Sequence, residues 1–143
     1  PAEINLQKFD ITNMKIAKKT KSPVLLITDI ERGGAFASIV GTMELIEKKY
    51  LDLVKGFVIN KFRGDIEILE PGYRKLQRKT GLPIFGTIPM TKFEIPDEDS
   101  IGTSPKNLNW NTSNLKKLDI EINKIAKVVK SCLNIRKMEK LLK

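Results

Sequence analysis

Three short apolar runs along the chain predict buried β-strands. Each run is continuous, without the alternation that marks a half-exposed strand, and each is followed by a segment with helical spacing of apolar positions. The runs start about 30 residues apart. This alternation of strands and helices predicts right-handed crossovers, a mainly parallel sheet and a three-layer α/β fold. The predicted strands cover residues 23–29, 54–60 and 83–88.

Local signals place helices between these strands. Asp10 and Asp65 are predicted caps, Pro71 suits a first helical position, and Gly81 suits the residue that ends a helix. Gly41, inside a predicted helix, suggests close packing on a neighbour. The predicted helices cover about 10–19, 34–48, 65–70 and 71–80.

The last third of the sequence changes character. Residues 90–113 are rich in Pro, Gly, Asp, Asn, Ser and Thr and are predicted to form an extended loop. From Leu115 to Leu142, apolar residues recur at helical spacing, with a break at Asn134. This terminal pair of amphipathic helices is predicted to pack on its own sheet and not on a membrane.

Charged residues and glycines mark the carboxyl end of the first predicted strand. Asp29, Glu31 and Arg32 follow the strand, and Gly33 and Gly34 precede a helix. Ligands of open α/β sheets bind at this edge, where a helix N-terminus offers N–H groups to an anion. Arg32 with the two glycine amides is therefore predicted to bind a carboxylate or a transferred phosphoryl group. The alternative is a structural salt bridge beside an ordinary helix start.

Further polar residues follow the same edge. Asp29 is a candidate magnesium ligand, because magnesium prefers oxygen ligands; the alternatives are substrate positioning and an ion pair with Arg32. Asn60 ends the second strand, and its amide, with one acceptor and two donors, can pair with adenine or cap the next loop. Lys61 and Arg63 either meet an anionic ligand or are solvated.

Composition narrows the possible chemistry. The chain of 143 residues has no histidine, a single cysteine and a net charge of +9. The lack of histidine excludes Ser/His/Asp and Cys/His catalysis within these residues, and together with a lone cysteine it excludes a zinc site. The lysines do not alternate with aromatic residues as in a nucleic-acid groove. No apolar run approaches the roughly 20 residues needed to cross a bilayer. A cytoplasmic protein without nucleic-acid or membrane partners is expected.

Two long strings have an unusual sequence. Residues 29–38 are Asp-Ile-Glu-Arg-Gly-Gly-Ala-Phe-Ala-Ser, and residues 55–65 are Lys-Gly-Phe-Val-Ile-Asn-Lys-Phe-Arg-Gly-Asp. With three shorter pieces in the same order, they resemble cobyric acid synthase, the glutamine-dependent amidotransferase of cobalamin biosynthesis. The resemblance covers about residues 1–101. The shorter pieces are residues 1–6, 10–14 and 98–100.

This resemblance implies a P-loop NTPase-like domain, akin to dethiobiotin synthetase, that uses ATP and Mg²⁺. Its substrate would be a corrinoid, adenosylcobyrinic acid a,c-diamide, whose peripheral carboxylates are amidated to give cobyric acid. Ammonia would come from a glutaminase domain that this sequence does not contain, and the Gly-rich phosphate loop would lie upstream of Pro1. The chain is thus expected to be inactive alone. The implied segments are residues 1–101, the C-terminal half of the synthetase domain, 102–114, a loop, and 115–143, a helical tail.

The resemblance also implies roles for individual residues. Asn60 would read adenine, and a second wall of the base pocket would come from the third strand, whose plainer interpretation is a strand end stopped by proline. That second wall consists of Gly86, Thr87, Ile88 and Pro89. Asp29 and Arg32 are the candidate catalytic residues. The candidate substrate-binding residues are Gly33, Gly34, Arg63, Glu3 and Asn5.

Two other functions remain open at this point. A partition-type, MinD-like regulatory ATPase would share the fold but lack the string at residues 29–34; the helical tail is its only support. A non-enzymatic basic domain would bind nucleic acid with a steep dependence on salt and no response to ATP. Without the strand that carries the phosphate loop, the sheet would expose an unpaired edge. Such an edge predicts a homo-oligomer or a tail helix that covers it.

Overall fold

Three parallel strands form the sheet: β1 (Val24–Asp29), β2 (Val54–Phe62) and β3 (Ile84–Pro89), with β2 in the centre. The structure, a computed structural model, describes residues 5, 9, 11–95 and 112–142. β1 pairs with β2 and β2 with β3, both in parallel, and helices connect them. The α/β class and the parallel sheet predicted from the apolar runs are confirmed.

The helices are α1 (Asn13–Thr20), α2 (Ala35–Leu45), α3 (Lys48–Leu51), α4 (Glu70–Thr80), α5 (Thr112–Cys132) and α6 (Ile135–Glu139), with 3-10 turns at Ile66–Leu69 and Lys140–Leu142. The chain divides into two compact units, residues 1–90 with 132–143 and residues 91–131. Of the predicted loop, residues 91–95 have no regular secondary structure, and residues 96–111 lie outside the described part. The segment limits at residues 101 and 114 stay a prediction. None of the described helices combines the length and apolar character needed to cross a bilayer.

The main buried cluster lies on one face of the central strand. Phe57 and Ile59 are fully buried, and they share a face because side chains alternate along a strand. Met14 of α1, Ile39 of α2 and Leu76 of α4 belong to the same buried cluster. Burying one such side chain favours folding by about 1.5–3 kcal/mol. This cluster therefore fixes the strand whose carboxyl end carries the candidate site.

The first helix differs from its prediction. Its predicted cap, Asp10, lies outside the described residues. Ile11 and Ile16, predicted on the apolar side, are exposed. The buried positions are Met14 and Ala17, so the contacting face is narrower than the apolar pattern indicates.

Three other predictions are wrong. The helix predicted over 34–48 is interrupted at Ile46, which is extended and buried in the core. Gly41 does not pack closely, since a Cβ there would meet no atom within 4 Å. β1 is not buried on both faces, since Ile27 is 65% exposed.

The other predicted caps and breaks, which lie within the described residues, are confirmed. The side chain of Asp65 accepts a hydrogen bond from the backbone N–H of Glu67 at 2.9 Å. Pro71 lies in the first turn of α4, and Gly81 ends that helix in the left-handed conformation. Asn134 separates α5 from α6 and caps the second of these helices. Local hydrogen bonding therefore sets these limits, as the sequence signals indicate.

The C-terminal segment covers the outer edge of β3. Leu133 forms an isolated antiparallel bridge with Gly86, and the N–H of Asn134 donates to the carbonyl oxygen of Phe85 at 2.8 Å. A Cβ at Gly86 would collide with the carbonyl oxygen of Cys132. The tail thus approaches β3 so closely that only glycine fits at this position. The edge that the tail covers is that of β3, and β1 remains without a described neighbour on its outer side.

Candidate functional site

The carboxyl ends of β1 and β2 bring together the two main predicted site residues. Asp29 and Asn60 are partners in the parallel register. The backbone N–H of Ile30 donates to the carbonyl oxygen of Asn60 at 3.0 Å, which extends the pairing past the end of β1. Adjacent parallel strands place their last residues at one edge of the sheet, so this proximity follows from the topology.

Asp29 is held at both carboxylate oxygens. Oδ2 accepts a hydrogen bond from Lys61 Nζ at 2.8 Å, and Oδ1 accepts one from the N–H of Glu31 at 3.0 Å. The Lys61 hydrogen bond is the main cause that lowers the pKa of Asp29. Burial opposes it, and the Glu31 N–H and the nearby charges of Lys61 and Arg32 lower the pKa further. Asp29 is thus an ionised carboxylate of fixed orientation and a poor proton acceptor.

Glu31 and Arg63 form a second ion pair, each two residues beyond a member of the first pair. Arg63 donates from Nη2 and Nε to one oxygen of Glu31, at 2.8 and 3.0 Å. Both side chains are largely exposed, so the pair contributes at most about 1 kcal/mol to stability and mainly orients the two loops. Arg32 forms no ion pair with another described residue. Of the three cations here it is the one most available to an anion.

Gly33 and Gly34 connect β1 to α2. Both have left-handed backbones, with φ of 74° and 67°, and a Cβ at either position would meet no atom within 4 Å. Glycine is therefore favoured at both positions by the left-handed backbone conformation and not by a lack of space for a side chain. The N-terminal amides of α2 follow directly, as the predicted anion-binding loop requires.

The Asn60 side chain has a defined orientation. Its Oδ1 accepts a hydrogen bond from the N–H of Lys61 at 2.9 Å. Because a backbone N–H can only donate, the acceptor is the amide oxygen, and Nδ2 forms no hydrogen bond with another described residue. An amide oxygen has a second lone pair. The local cap and the adenine-reading role are therefore compatible.

β3 contributes a buried threonine side chain that is hydrogen-bonded to α4. Thr87 is only 5% exposed, and its hydroxyl is hydrogen-bonded to that of Tyr73 on α4. Burial raises the pKa of Tyr73. Ile88 is half-buried and Pro89 is exposed. The Thr87 side chain is thus occupied by the α4 contact, so a base-pocket wall formed here would use backbone groups and apolar side chains.

The structure does not test two of the predicted site residues. Glu3 lies outside the described residues, and Asn5 lies in an exposed turn. Within the described ranges, no group of three or more carboxylate or thiol side chains gathers in one place to hold a metal ion.

Sequence reasoning missed the two ion pairs between the residues that end β1 and β2. The predicted second strand ends at residue 60, whereas β2 continues through Phe62, so that Lys61 lies in the strand and Arg63 follows it. A signal was available: Asp29 and Glu31 are two residues apart at the end of one strand, and Lys61 and Arg63 have the same spacing at the end of its neighbour. Opposite charges in such register predict cross-strand ion pairs.

Comparisons with known proteins place this edge in a family context. A family model described as an AAA domain matches residues 6–93. Similar proteins include the probable cobyric acid synthase of Thermococcus onnurineus, 51% identical over 106 residues, which are 74% of this chain and 22% of that protein. The cobyric acid synthase of Desulfitobacterium hafniense is 51% identical over 108 residues, 75% of this chain and 21% of that protein.

A longer match extends further along the chain. The probable cobyric acid synthase of Methanosarcina barkeri is 45% identical over 127 residues, 89% of this chain and 26% of that protein. The chain thus spans about a fifth to a quarter of the length of these curated relatives. No solved structure matches it.

Proposed function

Since this chain belongs to the AAA domain family, a P-loop NTPase-like family, we propose that it forms part of an ATP-dependent ligase of cobalamin biosynthesis. The ligase would use glutamine-derived ammonia to amidate peripheral carboxylates of adenosylcobyrinic acid a,c-diamide, giving cobyric acid. One observation carries the proposal: Asp29, Asn60 and the Arg32-Gly33-Gly34 loop meet at one edge of the sheet, within a segment about half identical to cobyric acid synthases.

In the proposed reaction, an oxygen of a corrinoid carboxylate attacks the γ-phosphorus of ATP, and the bond to the β–γ bridging oxygen breaks. The products are an acyl phosphate and ADP. Ammonia then attacks the acyl carbon, forms the amide C–N bond and releases phosphate and a proton. Arg32 and the amides of Gly33 and Gly34 would stabilise the negative charge of the transferred phosphoryl group.

Other residues would bind and orient. Asn60 would donate from Nδ2 to adenine N7 and accept from N6 at Oδ1, while the backbone of Gly86 to Pro89 would form the opposite wall. Arg63 would contact substrate from the neighbouring loop. Mg²⁺, when bound, would neutralise phosphate charge, with Asp29 among its oxygen ligands. A phosphate-binding loop and a glutaminase domain elsewhere in the protein, and a cytoplasmic location, belong to the same proposal.

Calorimetric titration of ATP with Mg²⁺ tests the nucleotide role. The full-length protein is expected to bind ATP in preference to GTP, and Asn60→Ala should weaken ATP binding by about tenfold or more, since it removes paired hydrogen bonds to the base. Asn123→Ala, the same change at an exposed position of α5, serves as the control. Unchanged ATP affinity in Asn60→Ala would remove Asn60 from the proposed site.

A further inference from the structure

Lys61 has a backbone conformation that lysine seldom adopts inside a strand. Its φ is 61°, in the left-handed region, and the β2–β3 register is broken between Ile59 and Phe62. Among the described residues, Lys21 is the only other non-glycine residue with positive φ, and it ends α1, where this conformation is common. The irregularity at Lys61 has no such local explanation, and it costs free energy in a residue with a Cβ.

Two hydrogen bonds hold this bulge, and each leads to a different predicted site residue. The backbone N–H of Lys61 donates to Asn60 Oδ1 at 2.9 Å. Its Nζ donates to Asp29 Oδ2 at 2.8 Å. In a regular strand, successive residues point to opposite faces. The bulge changes that direction, as bulges beside active sites do.

The Asp29 contact continues into the predicted anion-binding loop. The other oxygen of Asp29 accepts the N–H of Glu31, the residue before Arg32. Lys61 thus supports the start of this loop through one carboxylate. It also fixes the amide oxygen of Asn60 through its own backbone.

We propose that Lys61 is a positioning residue of this site, which orients Asn60 through its backbone N–H and Asp29 through its ammonium group. The unfavourable backbone conformation is retained because it lets one residue serve both ends of the site. This inference rests on the proposed ATP-dependent ligase function.

Two substitutions in the full-length protein separate the two contacts. Lys61→Gly keeps the N–H and favours the left-handed backbone, but it removes the ammonium group. We expect unchanged or higher thermal stability, a kcat lowered by about tenfold or more, and an ATP-over-GTP preference within about twofold of the unsubstituted protein. Lys61→Val also disfavours the bulge, so both kcat and the ATP-over-GTP preference should fall.

Lys21→Gly is the matched control, since it relieves the same backbone conformation away from the site. Its thermal stability should be unchanged or higher, as for Lys61→Gly, and its kcat and nucleotide preference should be unchanged. A Lys61→Gly protein with kcat within about twofold of the unsubstituted protein would overturn the inference. Failure of the proposed function looks different, because the unsubstituted protein itself would then form no amide in the presence of ATP, and the inference would fall with it.

Discussion

Two edges of the same sheet are built in opposite ways. At the carboxyl edge of β1 and β2, exposed or half-exposed charges form two ion pairs, Asp29 with Lys61 and Glu31 with Arg63. Along the outer edge of β3, the C-terminal segment approaches Gly86 so closely that a Cβ would collide with it. Exposed ion pairs orient side chains but add little stability, whereas close packing adds stability and tolerates little change. The molecule thus keeps adjustable contacts where ligands are expected and tight contacts elsewhere.

The largest expected effect comes from breaking the tight edge. Gly86→Ala places a Cβ against the carbonyl oxygen of Cys132 and the side chain of Leu133, at a backbone φ of 152°. Backbone atoms cannot move aside cheaply, so the free energy of unfolding should fall by about 2–3 kcal/mol. Urea denaturation measures this change. A loss below about 0.5 kcal/mol would mean that the tail does not pack on β3.

A smaller loss is expected one residue further along β3. Tyr73→Phe removes the hydroxyl that is hydrogen-bonded to the buried Thr87, and leaving that group unpaired costs about 1–2 kcal/mol. The double variant Tyr73→Phe with Thr87→Val should recover most of the loss, because it removes both polar partners. A double variant that loses as much as the two single changes combined would contradict a direct interaction.

Gly41→Ala sharpens the contrast with Gly86, since the same substitution should have the opposite sign. A Cβ at Gly41 meets no atom within 4 Å, and the residue lies inside α2. Alanine is favoured over glycine in a helix by about 0.5–1 kcal/mol, so the denaturation midpoint should rise. A lower midpoint would show that Gly41 has a close neighbour after all.

The charged edge should respond to pH instead. The folded-state pKa of Asp29 is lowered, chiefly by its hydrogen bond from Lys61. The ion pair therefore contributes stability above the unfolded-state pKa of about 3.9, and this contribution is lost as pH falls through the folded-state value. The difference in melting temperature between the unsubstituted protein and Asp29→Asn should be small at pH 7 and vanish in acid. A difference that persists at pH 2 would assign it to something other than ionisation.

The sequence predicted which strand ends meet at the charged edge, but not which charges pair there. Apolar runs ending in Asp29 and Asn60 were enough to predict parallel strands whose carboxyl ends meet, because burial and strand period are local properties. The partners of each charge were not predicted, since they depend on register between strands 32 residues apart in sequence. The left-handed backbone of Lys61 also escaped prediction, because nothing in the residue type favours it.

Tertiary contacts account for the other differences between the sequence predictions and the structure. Glycine at position 86 could not be distinguished from glycine at position 41 by sequence, because the reason for the former is a segment more than 40 residues away. Similarly, the run at 23–29 is typical of a strand buried on both faces, whereas β1 lies at the edge of the described sheet and its Ile27 is exposed. The apolar pattern of a sequence indicates whether a residue favours burial, but it does not identify the tertiary neighbours that bury it.

At the outer edge of β1, pairing within one polypeptide and pairing between two copies would compete during assembly. Among the described strands none pairs with the outer edge of β1, and this edge with the exposed side chain of Ile27 offers backbone hydrogen bonds and an apolar contact to an extended segment. A strand from the same polypeptide arrives at a rate set by chain closure, independent of protein concentration. A strand from another copy arrives at a rate proportional to concentration. The yield of correctly assembled protein should therefore decline as synthesis accelerates, even though the stability of each finished molecule stays the same.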